Sequence, residues 1–234
     1  MYKRQDLIRE TIAMRPDNGI SSIKVTEAGK SERDGIQFRK ITIARSEGPP
    51  LPAIILIPKS FSETTYLYVH GDGKAAALAE DGGALALAKK GHRVMAIDMR
   101  GTGELESPEN YKGWEPYFGR DWQDYFAAYL VGNSFVGMRT EDVISAGFVL
   151  GDLIGENPIH VIGVGEAAPA VLHAAVFEPE RFASVELIDD LDSWTSLLGE
   201  RVTNNQLINA VHGALRVYDL PDLRAILADL GKLK

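Results

Sequence analysis

The chain has 234 residues, a formal net charge of −8 and no cysteine, with 45% hydrophobic and 25% charged residues. This balance is typical of one globular domain, and the acidic charge disfavours nucleic acid or an anionic membrane surface as a partner, since both attract clustered Lys and Arg. The lack of cysteine excludes disulfides, thiolate metal ligands and a cysteine nucleophile. No apolar run has the length of a membrane span.

The first five residues, MYKRQ, match the translation of a transposon adapter end, GTG TAT AAG AGA CAG, with GTG read as Met. We therefore expect residues 1–5 to be a non-native leader, and residues 6–234 to form one domain. A genuine start with a short basic lead is the alternative. If the leader is not native, the natural protein extends further toward its N-terminus, and the lack of a signal peptide does not assign a compartment.

Apolar patterning predicts the elements of the first half of the chain. The run at 36–44 alternates, which predicts a half-exposed strand, and the continuous apolar run at 51–58 predicts a strand covered on both faces. The expected elements in order are a helix at 6–14 that ends at Pro16, strands at 20–25, 36–44, 51–58 and 65–69, an alanine-rich helix at 74–90 weakened at Gly82 and Gly83, and a strand at 93–98.

In the second half, a polar and aromatic segment at 104–120 precedes further elements. The expected elements are helices at 121–131 and 138–153, a strand at 159–164 that leads through a glycine turn into a helix ending near 178, a strand at 183–188, a short helix at 190–198 and a helical stretch around 204–215. Strands that alternate with helices at this spacing indicate βαβ units and a mostly parallel sheet. No repeat or linker divides the chain.

The glycine turn at 163–167, GVGEA, has the layout of a nucleophile elbow, in which small residues flank a nucleophile on a tight strand-to-helix turn. The position that should carry Ser, Cys or Asp carries Gly165. The frame of an acyl-transfer enzyme is therefore present without its attacking atom.

Three glycine turns in order carry a family resemblance: HGDG at 70–73, DMRGTG at 98–103 and the GVGEA turn. Together they resemble the α/β-hydrolase superfamily, and the chain is most similar to bacterial acetylxylan-esterase-like proteins over residues 54–223. The stretches LHAAVFEPERFASV, ending at 185, and VHGALRVYDLPDL at 211–223 look typical of that group.

The resemblance implies an α/β fold with a three-layer, doubly wound, mostly parallel sheet of α/β-hydrolase type that lacks the last strands. It also implies ester hydrolysis by a Ser-Asp-His triad on acetylated carbohydrate. Some members of the group carry two hydrolase-like domains, one without the serine. The expected partners are therefore an upstream catalytic hydrolase domain and carbohydrate, and a sheet edge left open by missing strands predicts a homo-oligomer.

Site residues follow from the same turns. The oxyanion donors are expected at Gly71, Asp72 and Gly73 and at the N–H of Glu166. Glu166 is also the reactive side chain nearest the vacant position, although an acidic residue in a first helical turn is explained by the helix dipole alone.

A base and an orienting acid are needed after the nucleophile. His212 and Asp189 are the candidates, with His212 expected to be structural and the neighbouring Asp190 expected to cap a helix. His70 is expected to shape the oxyanion turn.

The wider pocket is expected to include Arg100, Trp114 and Trp122. The two tryptophans belong to an aromatic cluster with Tyr111, Tyr117 and Phe118 that either stacks on sugar rings or packs over the sheet.

Two other functions stay open. An ester hydrolase with an unconventional nucleophile is one. A nucleotide-binding module is the other, because Gly163, Gly165 and Ala168 fit a dinucleotide fingerprint with Asp189 or Asp190 as its acidic residue. No metal motif is present, and no cofactor is expected.

Overall fold

The computed structural model describes residues 2–15, 22–60, 62, 64–107, 112–155, 158–200 and 205–234. Seven strands within these ranges form one sheet in the order β1-β2-β3-β5-β4-β6-β7. The strands are β1 (Lys24–Arg33), β2 (Ile36–Ala44), β3 (Leu51–Pro58), β4 (Thr65–His70), β5 (Arg93–Ile97), β6 (Ile159–Val164) and β7 (Phe182–Ile188).

Helices connect these strands and cover the sheet. The α-helices of the described ranges are α1 (Tyr2–Thr11), α2 (Lys74–Ala77), α3 (Gly83–Lys89), α4 (Glu115–Phe118), α5 (Trp122–Leu130), α6 (Phe135–Ile154), α7 (Ala168–Phe177), α8 (Trp194–Leu197) and α9 (Leu220–Asp229). Short 3₁₀ turns lie at Gly103–Leu105, Lys112–Trp114, Gly165–Ala167, Leu207–Asn209 and Ala214–Arg216. None of the helices described is both long and apolar enough to cross a membrane.

The sheet is mixed, and most of its strands run in one direction. β5, β4, β6 and β7 pair in parallel, whereas β1–β2, β2–β3 and β3–β5 pair antiparallel. Only β1 and β3 therefore run against the others. Two apolar clusters cover the two faces, one formed with α2 and α3 and the other with α1, α6, α7 and α9. The predicted three-layer α/β fold with a mostly parallel sheet is confirmed.

The two edges of the sheet differ in character. β1 is exposed along nearly its whole length and carries a register shift between Glu27 and Gly29. At the opposite edge, Val185 of β7 forms a parallel bridge with Leu233. The Val185 N–H donates to the Lys232 carbonyl oxygen at 2.8 Å, and the Lys234 N–H donates to the Val185 carbonyl oxygen at 2.9 Å.

The prediction of one helix over 74–90 is wrong, because the segment splits into α2 and α3. The break lies at the two weak glycines. A Cβ at Gly82 would lie 2.4 Å from the Ala77 carbonyl oxygen, and one at Gly83 would lie 2.2 Å from the Tyr68 hydroxyl. The turn therefore packs too closely for side chains.

Two helix predictions near the end of the chain are also wrong. The helix predicted at 190–198 is confined to α8, whose N-cap is Ser193 rather than Asp190. The helical stretch around 204–215 is instead two 3₁₀ turns joined by a turn that contains His212, in the part of it that the structure describes. Gly213 has a φ of 77°, and the Trp194 indole N–H donates to the Asn209 carbonyl oxygen at 2.8 Å, so tertiary contacts hold the chain out of a helix.

Other helices and strands begin or end at residues different from those predicted, because tertiary contacts extend them beyond their apolar pattern. α1 begins at Tyr2, earlier than the predicted start at residue 6, and the Gln5 side-chain amide donates to the Val176 carbonyl oxygen at 3.0 Å. The strand predicted at 20–25 lies partly outside the described residues, and its last two residues begin β1, whose polar continuation to Arg33 was not predicted. Nor was α9, which begins with a capping box formed by Asp219 and Asp222.

Candidate active site at the strand-to-helix turn

The chain makes a tight turn where β6 meets α7. Gly165 has a φ of 60°, in the left-handed region that glycine favours, and opens the 3₁₀ turn that leads into the helix. A Cβ at Gly163 would lie 3.0 Å from the Val171 Cβ, whereas one at Gly165 would have no atom within 4 Å. Gly163 is therefore packed closely against α7, whereas the space around Gly165, where a nucleophile would project, is open.

The turn after β4 lies against this elbow, with its backbone N–H groups already bonded inside the protein. A Cβ at Gly71 would lie 2.8 Å from the Glu166 nitrogen, so a side chain does not fit there. The three donations run from Gly71 N–H to the Val164 carbonyl oxygen (2.9 Å), from Asp72 N–H to His70 Nδ1 (3.0 Å) and from Gly73 N–H to the His70 carbonyl oxygen (2.9 Å). In this arrangement the turn has no free donor for an oxyanion.

Arg120 links the two turns through its guanidinium group. Its Nη1 donates to the Asp72 carboxylate at 2.8 Å, and its Nη2 donates to the Gly71 carbonyl oxygen at 2.9 Å. The same Nη2 lies 3.5 Å from Glu166 Oε2. A cation therefore stands between the elbow and the expected oxyanion turn. No sequence motif indicated Arg120, because it lies far from both turns along the chain.

A second charged pair lies beneath Arg120. Arg139 is fully buried, its Nε donates to the Arg100 carbonyl oxygen at 3.0 Å, and its Nη2 lies 3.5 Å from Asp121 Oδ2. Four buried polar atoms of this cluster have no hydrogen-bond partner among the described residues: Arg120 Nε, Asp121 Oδ1, Arg139 Nη1 and Glu166 Oε2. Within the cluster, the carboxylates of Glu166 and Asp121 meet Arg120 and Arg139 only at 3.5 Å.

Burial raises the pKa of Glu166 to about 7, against the opposing effect of Arg139 and Arg120. Burial also raises the pKa of Asp121. The Glu166 side chain is only 11% exposed. Near neutral pH, Glu166 is thus divided between a carboxylic acid and a carboxylate.

No protein-family model matches the chain, and no curated protein does. Solved structures do match. A protein described as a candidate acetyl xylan esterase, from Bacteroides fragilis NCTC 9343, superposes with a TM-score of 0.76 at 17% identity over 96% of this chain. The methylesterase BT1017 gives 0.59 at 14% identity over 96%. A cold-adapted esterase from an Arctic intertidal metagenomic library gives 0.50 at 17% identity over 68% of this chain and 63% of its own.

The chain has the α/β-hydrolase fold. Its similarity is to acetyl xylan esterases and other esterases, at identities that establish the fold and not the activity. The chain spans 65% of the length of the Bacteroides fragilis protein and 48% of the length of the methylesterase. In this fold the nucleophile sits on a sharp strand-to-helix turn. The turn between β6 and α7 has this form here, with Gly165 at its start.

In the α/β-hydrolase fold the acid and the histidine follow the nucleophile along the chain. Neither candidate's side chain forms a hydrogen bond or ion pair with the elbow among the described residues, although Asp189 follows Ile188, which pairs with Val164 just before the elbow. His212 is exposed, and its ring lies 5.4 Å from the ring of Tyr129, centroid to centroid, on another part of the molecule. Asp189 is exposed with a φ of 50°, and Asp190 is bonded to Arg224 instead of capping a helix.

His70 and Arg100, the polar pocket candidates, have structural partners. His70 Nδ1 accepts the Asp72 N–H, as described above, which shapes the turn. Arg100 Nη2 donates to Asp142 Oδ1 at 2.6 Å, and Arg45 Nη2 lies 2.7 Å from the same oxygen. Burial alone would raise the pKa of Asp142, but Arg100 and Arg45 more than offset it, so this pKa is lowered.

The aromatic candidates lie together beside Arg120. The rings of Trp114 and Trp122 stack at 5.5 Å between centroids with an interplanar angle of 26°. Trp114 remains 52% exposed and Tyr117 62% exposed. Tyr111 lies outside the described residues. Part of this cluster is thus available to solvent rather than packed over the sheet.

Within the described ranges, no three metal-binding side chains lie together.

Proposed function

We propose that this chain is a non-catalytic α/β-hydrolase-fold domain. The observation that carries the proposal is Gly165, which leaves the nucleophile position without a side chain in a turn of otherwise suitable geometry. Two features support it. The N–H groups of the turn at 71–73 are bonded internally, and Arg120 stands between that turn and the elbow.

The role proposed for the domain is that of a structural or carbohydrate-contacting partner to a catalytic hydrolase domain upstream. Exposed aromatic rings support the carbohydrate contact, since Trp114 and Tyr117 remain largely open to solvent. The lengths of the matched esterases support the second domain, because this chain spans 65% of one and 48% of another.

The test is p-nitrophenyl acetate turnover by the purified protein beside Gly165→Ser and Glu166→Gln variants. We expect no wild-type turnover above the buffer rate, and none in Gly165→Ser, because no histidine base contacts that position in the described structure. Wild-type turnover that disappears in Glu166→Gln would overturn the proposal.

An ester hydrolase that uses Glu166 is the second candidate, and the raised pKa of this buried carboxyl favours it. Against it, an elbow shifted by one residue would place the β-branched Val164 where a small residue is required. The turnover of Glu166→Gln decides between the two candidates. A nucleotide-binding module is the third candidate. Asp190 is bonded to Arg224, so Asp189 would have to serve as its acidic residue, and retention of a dinucleotide by the purified protein would support it.

A further inference from the structure

A cleft of about 190 Å³ lies between the end of α1, the C-terminal half of α5 and the turn that contains His212. Glu10, Tyr125, Tyr129 and Asn133 also line it. None of these five residues belongs to the elbow, and none takes part in the ion pairs around Arg120. The cleft is therefore separate from the candidate active site.

The side chains that line this cleft are rich in unused hydrogen-bonding groups. The Glu10 carboxylate, the two tyrosine hydroxyls, the Asn133 amide and the His212 imidazole have no hydrogen-bond partner among the described residues. Tyr129 is 46% exposed, and the ring of His212 meets its ring edge-on at 5.4 Å. Several polar groups and two aromatic rings thus converge on one small space without satisfying each other.

The walls of the cleft are held by buried contacts. The Ser134 hydroxyl donates to the Ile12 carbonyl oxygen at 2.6 Å and accepts the Gly137 N–H at 3.0 Å, which ties the end of α1 to the start of α6. The Asn133 N–H donates to the Ala128 carbonyl oxygen at 2.9 Å. A ligand would enter a preformed site and would lose little affinity to ordering the protein.

The chemistry of the lining selects the class of ligand. Glu10 offers only acceptors, the Asn133 amide and the tyrosine hydroxyls offer donors and acceptors, and tyrosine rings suit the C–H faces of a sugar. An anionic ligand would be repelled by Glu10 and by the net charge of −8 of the protein. A cationic ligand does not accept hydrogen bonds from the amide N–H donors. We propose that this cleft binds a neutral sugar ring. This inference rests on the carbohydrate-contacting part of the proposed function and names its site.

The surface next to the cleft indicates a chain of sugars rather than a single one. Trp122, Phe126 and Tyr129 are spaced i, i+4 and i+7, so they share one face of α5 over roughly 10 Å of helix. The Trp122 and Phe126 rings lie 6.2 Å apart, and Trp114 extends the row by its stack on Trp122. A neutral oligosaccharide that fills the cleft with one ring would continue along this row.

The experiment is isothermal titration calorimetry of the whole chain with xylohexaose, cellohexaose and mannohexaose, with xylose as the short ligand and choline chloride as a cationic probe. Tyr129→Ala, Asn133→Ala and His212→Ala are the test variants, since all three side chains are exposed and their loss should not unfold the protein. Leu198→Ala is the control, because this exposed side chain lies outside both the cleft and the aromatic cluster.

We expect at least one hexasaccharide to bind more tightly than xylose, with affinity reduced roughly tenfold or more in Tyr129→Ala and Asn133→Ala. The Leu198→Ala control should change affinity much less. Absence of binding by all three hexasaccharides, binding unaltered in the cleft variants, or binding of choline alone would each overturn the inference. These outcomes are independent of p-nitrophenyl acetate turnover, so failure of the sugar site is distinguishable from failure of the non-catalytic proposal.

Discussion

Glu166 lies buried at the elbow with a pKa raised to about 7 by burial. A carboxyl whose folded-state pKa exceeds its unfolded value contributes stability below the unfolded pKa and loses it as the pH rises through the folded one. The shift predicts that ionisation of Glu166 costs up to about 3 kcal/mol between pH 4.5 and pH 8.

Glu166→Gln keeps the shape of the side chain and cannot ionise. We therefore expect this variant to match the wild type near pH 5 and to be more stable than it at pH 8.5, by about 1 to 3 kcal/mol in urea unfolding. Glu80→Gln, at an exposed position in the turn between α2 and α3, is the control. Equal effects of Glu166→Gln at both pH values would contradict the buried, protonated carboxyl.

Two glycines of the site predict losses of stability of different size when a methyl group is added. Gly165 has open space around a Cβ but a φ of 60°, so Gly165→Ala should cost about 1 to 2 kcal/mol through backbone strain. At Gly71, a Cβ would lie 2.8 Å from the Glu166 nitrogen, so Gly71→Ala should cost about 3 kcal/mol through overpacking. Thermal unfolding of both variants measures the order, and a larger loss in Gly165→Ala would contradict the geometry of the elbow.

At the scale of elements, Asp142 connects α6 to the segments around it. Its buried carboxylate is held by Arg45 and by Arg100, which also donates its backbone N–H to it at 2.9 Å. Asp142→Asn removes the negative charge and leaves two buried guanidinium groups undercompensated, which should cost about 3 to 5 kcal/mol.

A matched control for Asp142→Asn is available on the surface. Glu47 also pairs with an arginine, Arg15, but its side chain is 70% exposed. Glu47→Gln should therefore cost less than about 1 kcal/mol, because solvent screens the pair. Urea unfolding at neutral pH compares the two variants, and similar losses in both would mean that the Asp142 network does not hold α6 in place.

The apolar pattern of the sequence predicts some strands and helices better than others. β2, β3 and β6 were predicted within a residue or two, because their apolar runs face a core and their ends carry turn residues. Most of β1 was not predicted, because an exposed edge strand buries no alternating apolar face and is held by its pairing with β2. The segment around His212 was predicted as helical, yet buried contacts such as that of Trp194 with Asn209 override its local preference.

At the scale of the whole molecule, the edges of the sheet predict how it associates. β1 carries Lys24, Glu27 and Lys30 and a bulge, which are features that discourage strand pairing between molecules. β7 is covered at Val185 by residues 232–234. We therefore propose the part of β7 outside this cover, rather than β1, as the contact of the homo-oligomer expected through a sheet edge.

Removal of residues 232–234 would uncover the Val185 N–H and carbonyl groups. We expect this deletion to increase self-association, because unpaired backbone groups at a sheet edge accept another strand. Multi-angle light scattering after size exclusion measures the change against the intact chain. A deletion variant that stays monomeric while the intact chain forms oligomers would place the contact elsewhere.

The sequence by itself determined the α/β class and the three glycine turns, and it predicted Gly165 at the nucleophile position, because apolar periodicity and glycine spacing are local properties. Only the tertiary structure decided which side chains meet those turns. Arg120 and Arg139, which lie far from the elbow along the chain, interact with Glu166 there. Arg100 pairs with Asp142 instead. His212 lies in a separate cleft with Tyr129. Contacts between residues far apart in the chain depend on how helices and loops pack, and no local pattern records that packing.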